Sequence, residues 1–161
     1  METVTTFALW LEETRLAIWV GESDVAYPFL LSMHVIGLAM FAGLLTIVGL
    51  RMLGAIRELP FSGLTGPMRL AWAGLTVNVL SGVALFTSQA SLFVANIPFQ
   101  IKLAMIVTAA SVASAIHRGL RREAASWDRA GRASVAARIE AAVSLAAIVS
   151  AIVAGRLIAY F

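Results

Sequence analysis

The sequence contains no cysteine. This absence excludes disulfides, thiolate metal sites, iron–sulfur clusters and covalent attachment of haem through a CxxCH motif. Charged residues are also scarce at 13%, whereas hydrophobic residues occupy 60% of the 161 positions. A soluble domain needs a more polar surface than this composition supplies. The chain is therefore predicted to be a polytopic membrane protein.

Motifs for nucleotide binding, for hydrolase nucleophiles and for HExxH zinc sites are absent as well. The net charge of +3 could suggest binding to nucleic acid. However, the arginines lie in short loops beside long apolar segments, where arginine is typical of a topology determinant. The lipid bilayer is therefore the expected partner, and binding to nucleic acid is not expected.

Four apolar stretches predict four transmembrane helices, because about 20 apolar residues at about 1.5 Å each match a hydrocarbon core about 30 Å thick. Their expected bounds are about 25–53, 68–87, 98–117 and 138–160. Residues 124–137 are expected to form an exposed, partly helical loop. The fold class is all-α, and no internal repeat divides residues 1–161, so a single domain is expected.

Residues 1–24 precede these spans and carry apolar side chains at roughly helical spacing, including Trp10 and Trp19. Two tryptophans on one short helix are typical of the lipid headgroup region. We expect one interfacial helix lying on the membrane surface. No basic region or long apolar run typical of a cleaved signal peptide is present before Pro28.

The orientation follows from the arginines. They concentrate between the first and second spans and between the third and fourth spans. Positive charge in short loops stays in the cytoplasm. The sequence therefore predicts a multi-pass protein with both termini outside the cytoplasm.

His34 is the most informative residue, because it lies inside the first span. An ionisable group at that depth costs a few kcal/mol unless it is paired or coordinating, so it is a candidate functional residue. His34 follows Pro28 by six residues, about 9 Å, and His117 follows Pro98 by nineteen, about 28 Å. One haem cannot be bound by both, because two axial ligands must lie at nearly the same depth. His117 instead suits the polar end of its helix.

Lys102, the one lysine of the sequence, follows Pro98 by four residues and therefore lies near the level of His34. The two could face one pocket, or Lys102 could extend to the interface while His34 bonds a neighbouring helix. Gly37 leaves a flat patch near His34 that suits either a planar macrocycle or close helix packing. Arg156 could bind a propionate or another anion, although extension to the interface is favoured.

Met33 and Met40 offer thioether ligands that, with His34, would suit copper(I), and they also suit ordinary apolar packing. A further feature is the small-residue face of the fourth helix at Ala147, Ala151 and Gly155. Such a face allows close packing of helices and could serve a larger membrane complex or a homo-oligomer.

Two segments carry a family resemblance. The first span combines His34 with PheAlaGlyLeu at Phe41–Leu44 and Arg51 near its end, and the third begins with GlnIleLysLeu around Lys102. This pattern resembles the HemJ-type protoporphyrinogen oxidases, which are small four-helix bacterial membrane proteins that bind haem b. It is also similar to the membrane domain of the copper-resistance D family. The resemblance covers the first and third spans best.

The resemblance implies a haem-dependent oxidoreductase in which His34 and Lys102 matter for haem binding and activity. It also implies the bacterial inner membrane, in which case both termini are periplasmic. Three functions follow from residues and resemblance together. The first is a b-type haem protein in redox or electron-transfer work, with His34 as axial ligand. The second is a copper-handling membrane protein. The third is a cofactor-free accessory subunit of a larger membrane complex.

Overall fold

The computed structural model describes residues 2–160, with side chains from Thr5 onward. Within this range the chain forms helices and no strand. The seven α-helices are α1 (Glu2–Glu12), α2 (Arg15–Glu22), α3 (Ala26–Leu53), α4 (Thr65–Thr87), α5 (Ala90–Ala95), α6 (Ile97–Ala130) and α7 (Val135–Leu157). A 3₁₀ turn, Phe61–Leu64, leads directly into α4.

Four helices, α3, α4 with its preceding turn, α6 and α7, are long and apolar enough to cross a membrane. The predicted fold class, an all-α polytopic membrane protein with helical structure before the first span, is therefore confirmed. Each long helix also presents exposed apolar side chains, such as Leu80 on α4 and Val107 on α6, which are 67% and 64% exposed. Such surfaces suit contact with lipid.

The four long helices pack mainly as two pairs. α3 packs along α4 and α6 along α7, α3 also contacts α7, and α4 contacts α6 only slightly. The α3–α4 contact is close because glycines meet there. A Cβ atom on Gly37 would lie 2.6 Å from the backbone N of Asn78 and 2.7 Å from the backbone O of Gly74. The absence of side chains therefore lets the two backbones approach each other.

The third span differs from its prediction. Its expected end near 117 is wrong, because α6 continues to Ala130. Residues 124–137 are mostly exposed and partly helical, as expected, but the non-helical connection to α7 is limited to residues 131–134. The extension has a buried face formed by Leu120, Ala124 and Trp127, at helical spacing. The charges after His117 mark the end of the apolar span, whereas packing of this face maintains the helix beyond it.

Smaller differences occur elsewhere. α4 begins at Thr65 and α7 at Val135, each three residues before its expected start, and α7 ends at Leu157 rather than near 160. Ser134 caps α7, because its hydroxyl accepts a hydrogen bond from the backbone N of Ala137 at 3.3 Å.

The N-terminal segment forms two helices where one was expected. α2 begins as a separate helix with Thr14 as its N-cap, because the Thr14 side chain accepts a hydrogen bond from the backbone N of Ala17 at 3.3 Å. α1 packs on α5, where the Glu12 carboxylate accepts bonds from the N and Oγ of Ser91, both at 2.8 Å. Trp10 remains 59% exposed, as an interfacial position would require.

The two ends of the bundle are built from different elements. The His34 end contains α1, α2, α5, the first three turns of α3, the first two turns of α6 and the last three turns of α4. The arginine-rich end contains the last turn of α3, the 3₁₀ turn, the last turn of α6, residues 131–134 and the first turn of α7.

Candidate functional site

His34 lies on the face of α3 that contacts α4, and its ring is anchored there. Its Nδ1 is 2.9 Å from the backbone carbonyl O of Asn78. A carbonyl oxygen can only accept, so this contact, the shortest that Nδ1 makes, favours a proton on Nδ1. The side-chain Nδ2 of Asn78 also lies 3.3 Å from Nδ1, but it donates at the shorter distance of 2.8 Å to the backbone O of His34. A proton on Nδ1 leaves Nε2 unprotonated. His34 can therefore accept a proton, accept a hydrogen bond or bind a metal through Nε2.

Asn78 completes a clamp between the two helices. Its side-chain Nδ2 donates to the backbone O of His34 at 2.8 Å. One turn further along α4, the Ser81 hydroxyl lies 3.4 Å from Nδ1 and donates to the backbone O of Val77 at 2.6 Å. Asn78 and Ser81 are both buried. The polar groups that surround His34 on α4 thus satisfy one another within the membrane-spanning part.

Lys102 reaches the same ring from α6. Its Nζ lies 3.5 Å from Nε2 of His34, and both side chains are half-buried. The position of Lys102 depends on the start of α6, where the Asn96 side chain accepts a hydrogen bond from the backbone N of Phe99 at 2.9 Å. An ammonium group can only donate, which agrees with an unprotonated Nε2. The structure therefore brings His34 and Lys102 together.

Two glycines make room for this pair. A Cβ atom on Gly82 of α4 would lie 2.9 Å from Cε1 of His34, and one on Gly155 of α7 would lie 3.5 Å from Cδ and Cε of Lys102. Sequence reasoning missed Gly82, although Asn78, Ser81 and Gly82 follow i, i+3, i+4 spacing and so share one helix face. Four helices contribute to the site as a result.

The other candidate residues of this region lie elsewhere. The patch at Gly37 is covered by the backbone of α4, so Gly37 serves close packing of α3 on α4 and leaves no open surface there. Arg156 is exposed, and its Nη2 lies 3.5 Å from the hydroxyl of Tyr160. Met33 precedes His34 by one residue and Met40 follows it by six, so they lie about 100° and about 120° around α3 from His34, on the same side. A Cβ atom on Gly74 would lie 2.6 Å from that of Met40, which places Met40 against α4.

The second histidine lies at another level of the bundle. His117 accepts a hydrogen bond through Nδ1 from the indole Nε1 of Trp72 at 3.1 Å. Trp72 precedes Asn78 by six residues on α4, about 9 Å along the helix. The two histidines therefore contact different levels of α4.

Among residues 2–160, no group of three or more His, Cys, Asp or Glu side chains is placed to hold a metal ion. A bare ion at His34 would need further ligands of another kind. Haem brings four ring nitrogens of its own and needs only one or two protein ligands. Of the two cofactors considered, haem makes the smaller demand on this donor set.

Comparison with known proteins gives no family assignment, because no family model, curated protein or solved structure matches the chain. Fold and site together define a multi-pass helical membrane protein with a polar cluster at one end of its bundle.

Proposed function

We propose that this protein binds one b-type haem at the His34 end, with Nε2 of His34 as an axial ligand, and acts in redox or electron-transfer work. The observation that carries the proposal is the hydrogen bond of 2.9 Å between Nδ1 of His34 and the Asn78 carbonyl. A histidine that binds a metal through one nitrogen commonly donates its other N–H to a carbonyl or carboxylate, which fixes the ring and its tautomer.

The remaining residues of the site fit the same group. Lys102 provides a positive charge beside Nε2 that suits a haem propionate, at a distance of 3.5 Å from the ring in the structure. Lys102 is long and flexible, so it can move from Nε2 to a carboxylate nearby. Arg156 is a weaker candidate for a propionate because its side chain lies against Tyr160. Haem, when bound, supplies one-electron redox chemistry, and the apolar bundle around it sets the potential.

The proposed oxidoreductase activity rests on the family resemblance, and the proposed orientation in the membrane rests on the distribution of the arginines. The resemblance to the HemJ-type oxidases favours an oxidoreductase. The arginines near the connection 54–64 and near residues 131–134 favour a cytoplasmic location for the arginine-rich end. The His34 end, both termini and the haem would then face the periplasm of a bacterial inner membrane.

A second candidate is a cofactor-free accessory subunit of a larger membrane complex. It is favoured by the clamp itself, since the bonds between His34 and Asn78 link α3 to α4 without any cofactor. In that case His34 is a structural residue, and a glutamine that retains hydrogen bonding should replace it with little loss.

The test is a reduced-minus-oxidised absorption spectrum of detergent-purified protein from haem-replete cells, with pyridine haemochrome quantitation. Wild type should carry close to one haem b per chain. His34→Ala and His34→Gln should both lose it, whereas His117→Ala, a matched loss of the other histidine, should retain it.

Other outcomes would overturn the haem proposal. Folded protein without a b-type spectrum would exclude the haem. If this haem-free protein binds copper(I), and the double variant Met33→Leu/Met40→Leu binds copper(I) more weakly, a copper-handling role replaces the haem proposal. If the haem-free protein co-purifies with membrane partners, and His34→Gln leaves this co-purification unchanged, the accessory-subunit candidate replaces the haem proposal.

A further inference from the structure

A second feature lies at the arginine-rich end and is independent of the haem proposal. A cavity of about 250 Å³ opens between the end of α3, the connection 131–134 and the start of α7. Eight residues line it, of which four are arginines and none is acidic. The arginines are Arg51, Arg57, Arg132 and Arg138.

Arg51 is the fixed member of this set. It is only 5% exposed, although burial of a charge is costly without compensation. Its guanidinium carbon lies 3.7 Å from the centroid of the Phe61 ring, and its Nε donates to the backbone O of Leu59. A guanidinium stacked on an aromatic face in this way is held in one orientation. The protein thus maintains a buried positive charge at the cavity wall.

A simpler explanation is that the arginines neutralise helix ends. α3 and α6 both end at the cavity, at Gly54 and Gly131, and the Nε of Arg57 donates to the backbone O of Gly54 at 3.4 Å. Each helix C-terminus, however, carries only about half a negative charge. Two such ends offset about one of the four positive charges.

The carboxylates of this end do not remove the excess. Asp128 lies near Arg51, but its oxygens accept hydrogen bonds from the backbone N atoms of Phe61 and Ser62, at 2.6 and 3.1 Å. Glu58 is exposed and accepts from the backbone N of Arg57 at 3.1 Å. When both carboxylates are counted in full with the two helix ends, they balance about three of the four positive charges. Glu140 follows Arg138 by two residues but does not line the cavity.

We propose that this cavity is a binding site for a phosphate-bearing anion, held by Arg51, Arg57, Arg132 and Arg138. Arginine suits phosphate because its planar N–H groups bind two oxygens at once. A volume of about 250 Å³ corresponds to on the order of eight waters, so a phosphate group fits.

Two sources can supply this chemistry. The cavity lies at the end of α3 and the start of α7, two helices that are long and apolar enough to cross a membrane. Lipid headgroups are expected at the ends of such helices. Basic pockets between transmembrane helices in this position bind anionic headgroups. The second source is free phosphate from the aqueous phase, and the experiment below separates the two.

The experiment titrates delipidated protein in neutral detergent with short-chain phosphatidylglycerol, phosphatidylcholine of the same chain length, or inorganic phosphate. Bound lipid is counted by native mass spectrometry, and phosphate binding is followed by isothermal calorimetry. The test variant is Arg132→Gln/Arg138→Gln. The control, Arg118→Gln/Arg122→Gln, removes two exposed arginines of α6 that do not line the cavity.

Phosphatidylglycerol should bind more tightly than phosphatidylcholine, and the test variant should weaken it by about tenfold or more, as expected for loss of charge-assisted hydrogen bonds. The control should change it by less than about twofold, since Arg118 and Arg122 are equally exposed but do not line the cavity. Competition by inorganic phosphate would identify the phosphate group alone as the ligand, and its failure to compete would identify the lipid.

Three results would overturn the proposal. One is equal loss of binding in the control, which would mean general attraction to a basic surface. Another is equal binding of the two lipids with no binding of phosphate. The third is a test variant that melts like wild type and binds phosphatidylglycerol equally well.

Discussion

The two ends of the bundle are closed in different ways. At the arginine-rich end, the Phe61 ring is fully buried and packs edge-on against Trp127, with centroids 5.7 Å apart. Asp128 holds the backbone of the same turn through two hydrogen bonds. At the His34 end, the half-buried side chains of His34 on α3 and Lys102 on α6 face each other.

The arginine-rich end should therefore contribute more to the stability of the fold, and the His34 end more to the chemistry of the candidate site. An apolar anchor such as Phe61 contributes by burial, and its removal leaves a cavity. A polar pair such as His34 and Lys102 contributes little net stability, because hydrogen bonds to water are exchanged for internal ones. Substitutions at the arginine-rich end should therefore change unfolding most, and those at the His34 end should change the site.

The largest effect is expected from Phe61→Ala. It should destabilise the fold by about 3–5 kcal/mol, because a buried ring is lost and a cavity remains between the turn and α6. Unfolding of micellar protein by SDS titration, followed by circular dichroism, measures the change. Phe29→Ala is the matched control, since Phe29 is 59% exposed, and it should cost less than about 1 kcal/mol. Similar losses for both rings would contradict the comparison.

A smaller effect is expected midway along the bundle, where α3 meets α4. Gly37→Ala should destabilise by about 1–3 kcal/mol, because its Cβ atom would overlap the α4 backbone. Gly43→Ala on the same helix adds the same methyl group where no atom lies within 4 Å, and it should be neutral or stabilise by about 0.5–1 kcal/mol. The same titration measures both. If Gly37→Ala left the stability unchanged, α3 and α4 could move apart at that position without destabilising the fold.

The smallest change in stability is expected at the His34 end. Gly82→Ala should cost only about 1 kcal/mol, since the His34 ring can turn away from the new methyl group, but it should displace that ring from the Asn78 carbonyl. ¹⁵N NMR of histidine-labelled protein in micelles reports the tautomer, and His117→Ala assigns the two rings. Wild-type His34 should be protonated at Nδ1, and Gly82→Ala should change its signals.

Gly155→Ala is the control for that experiment. Its Cβ atom would make ordinary contacts of 3.5 Å with Lys102, so the His34 signals should stay unchanged. Equal spectral changes in the two variants would mean that Gly82 does not set the position of the ring.

The candidate site was only partly accessible to prediction. Helical rise from Pro28 and from Pro98 correctly placed His34 and Lys102 at one level, because depth depends on position along each helix alone. The role of the Asn78 carbonyl was not predictable, because backbone atoms carry no sequence signal. Gly82 had a signal in its spacing from Asn78, but its meaning depends on which face of α4 meets α3. Whether His34 binds a cofactor stays a prediction.

The sequence by itself determined the four spans and the presence of a titratable group inside one of them. Transfer of an apolar segment into lipid depends on the composition and length of that segment, so it can be read locally. Only the tertiary structure decided that α6 continues past His117, that Phe61 covers Arg51, and that four arginines line one cavity. These features depend on how helices are rotated and packed against each other, and small residues such as Gly37 and Gly74 set that packing.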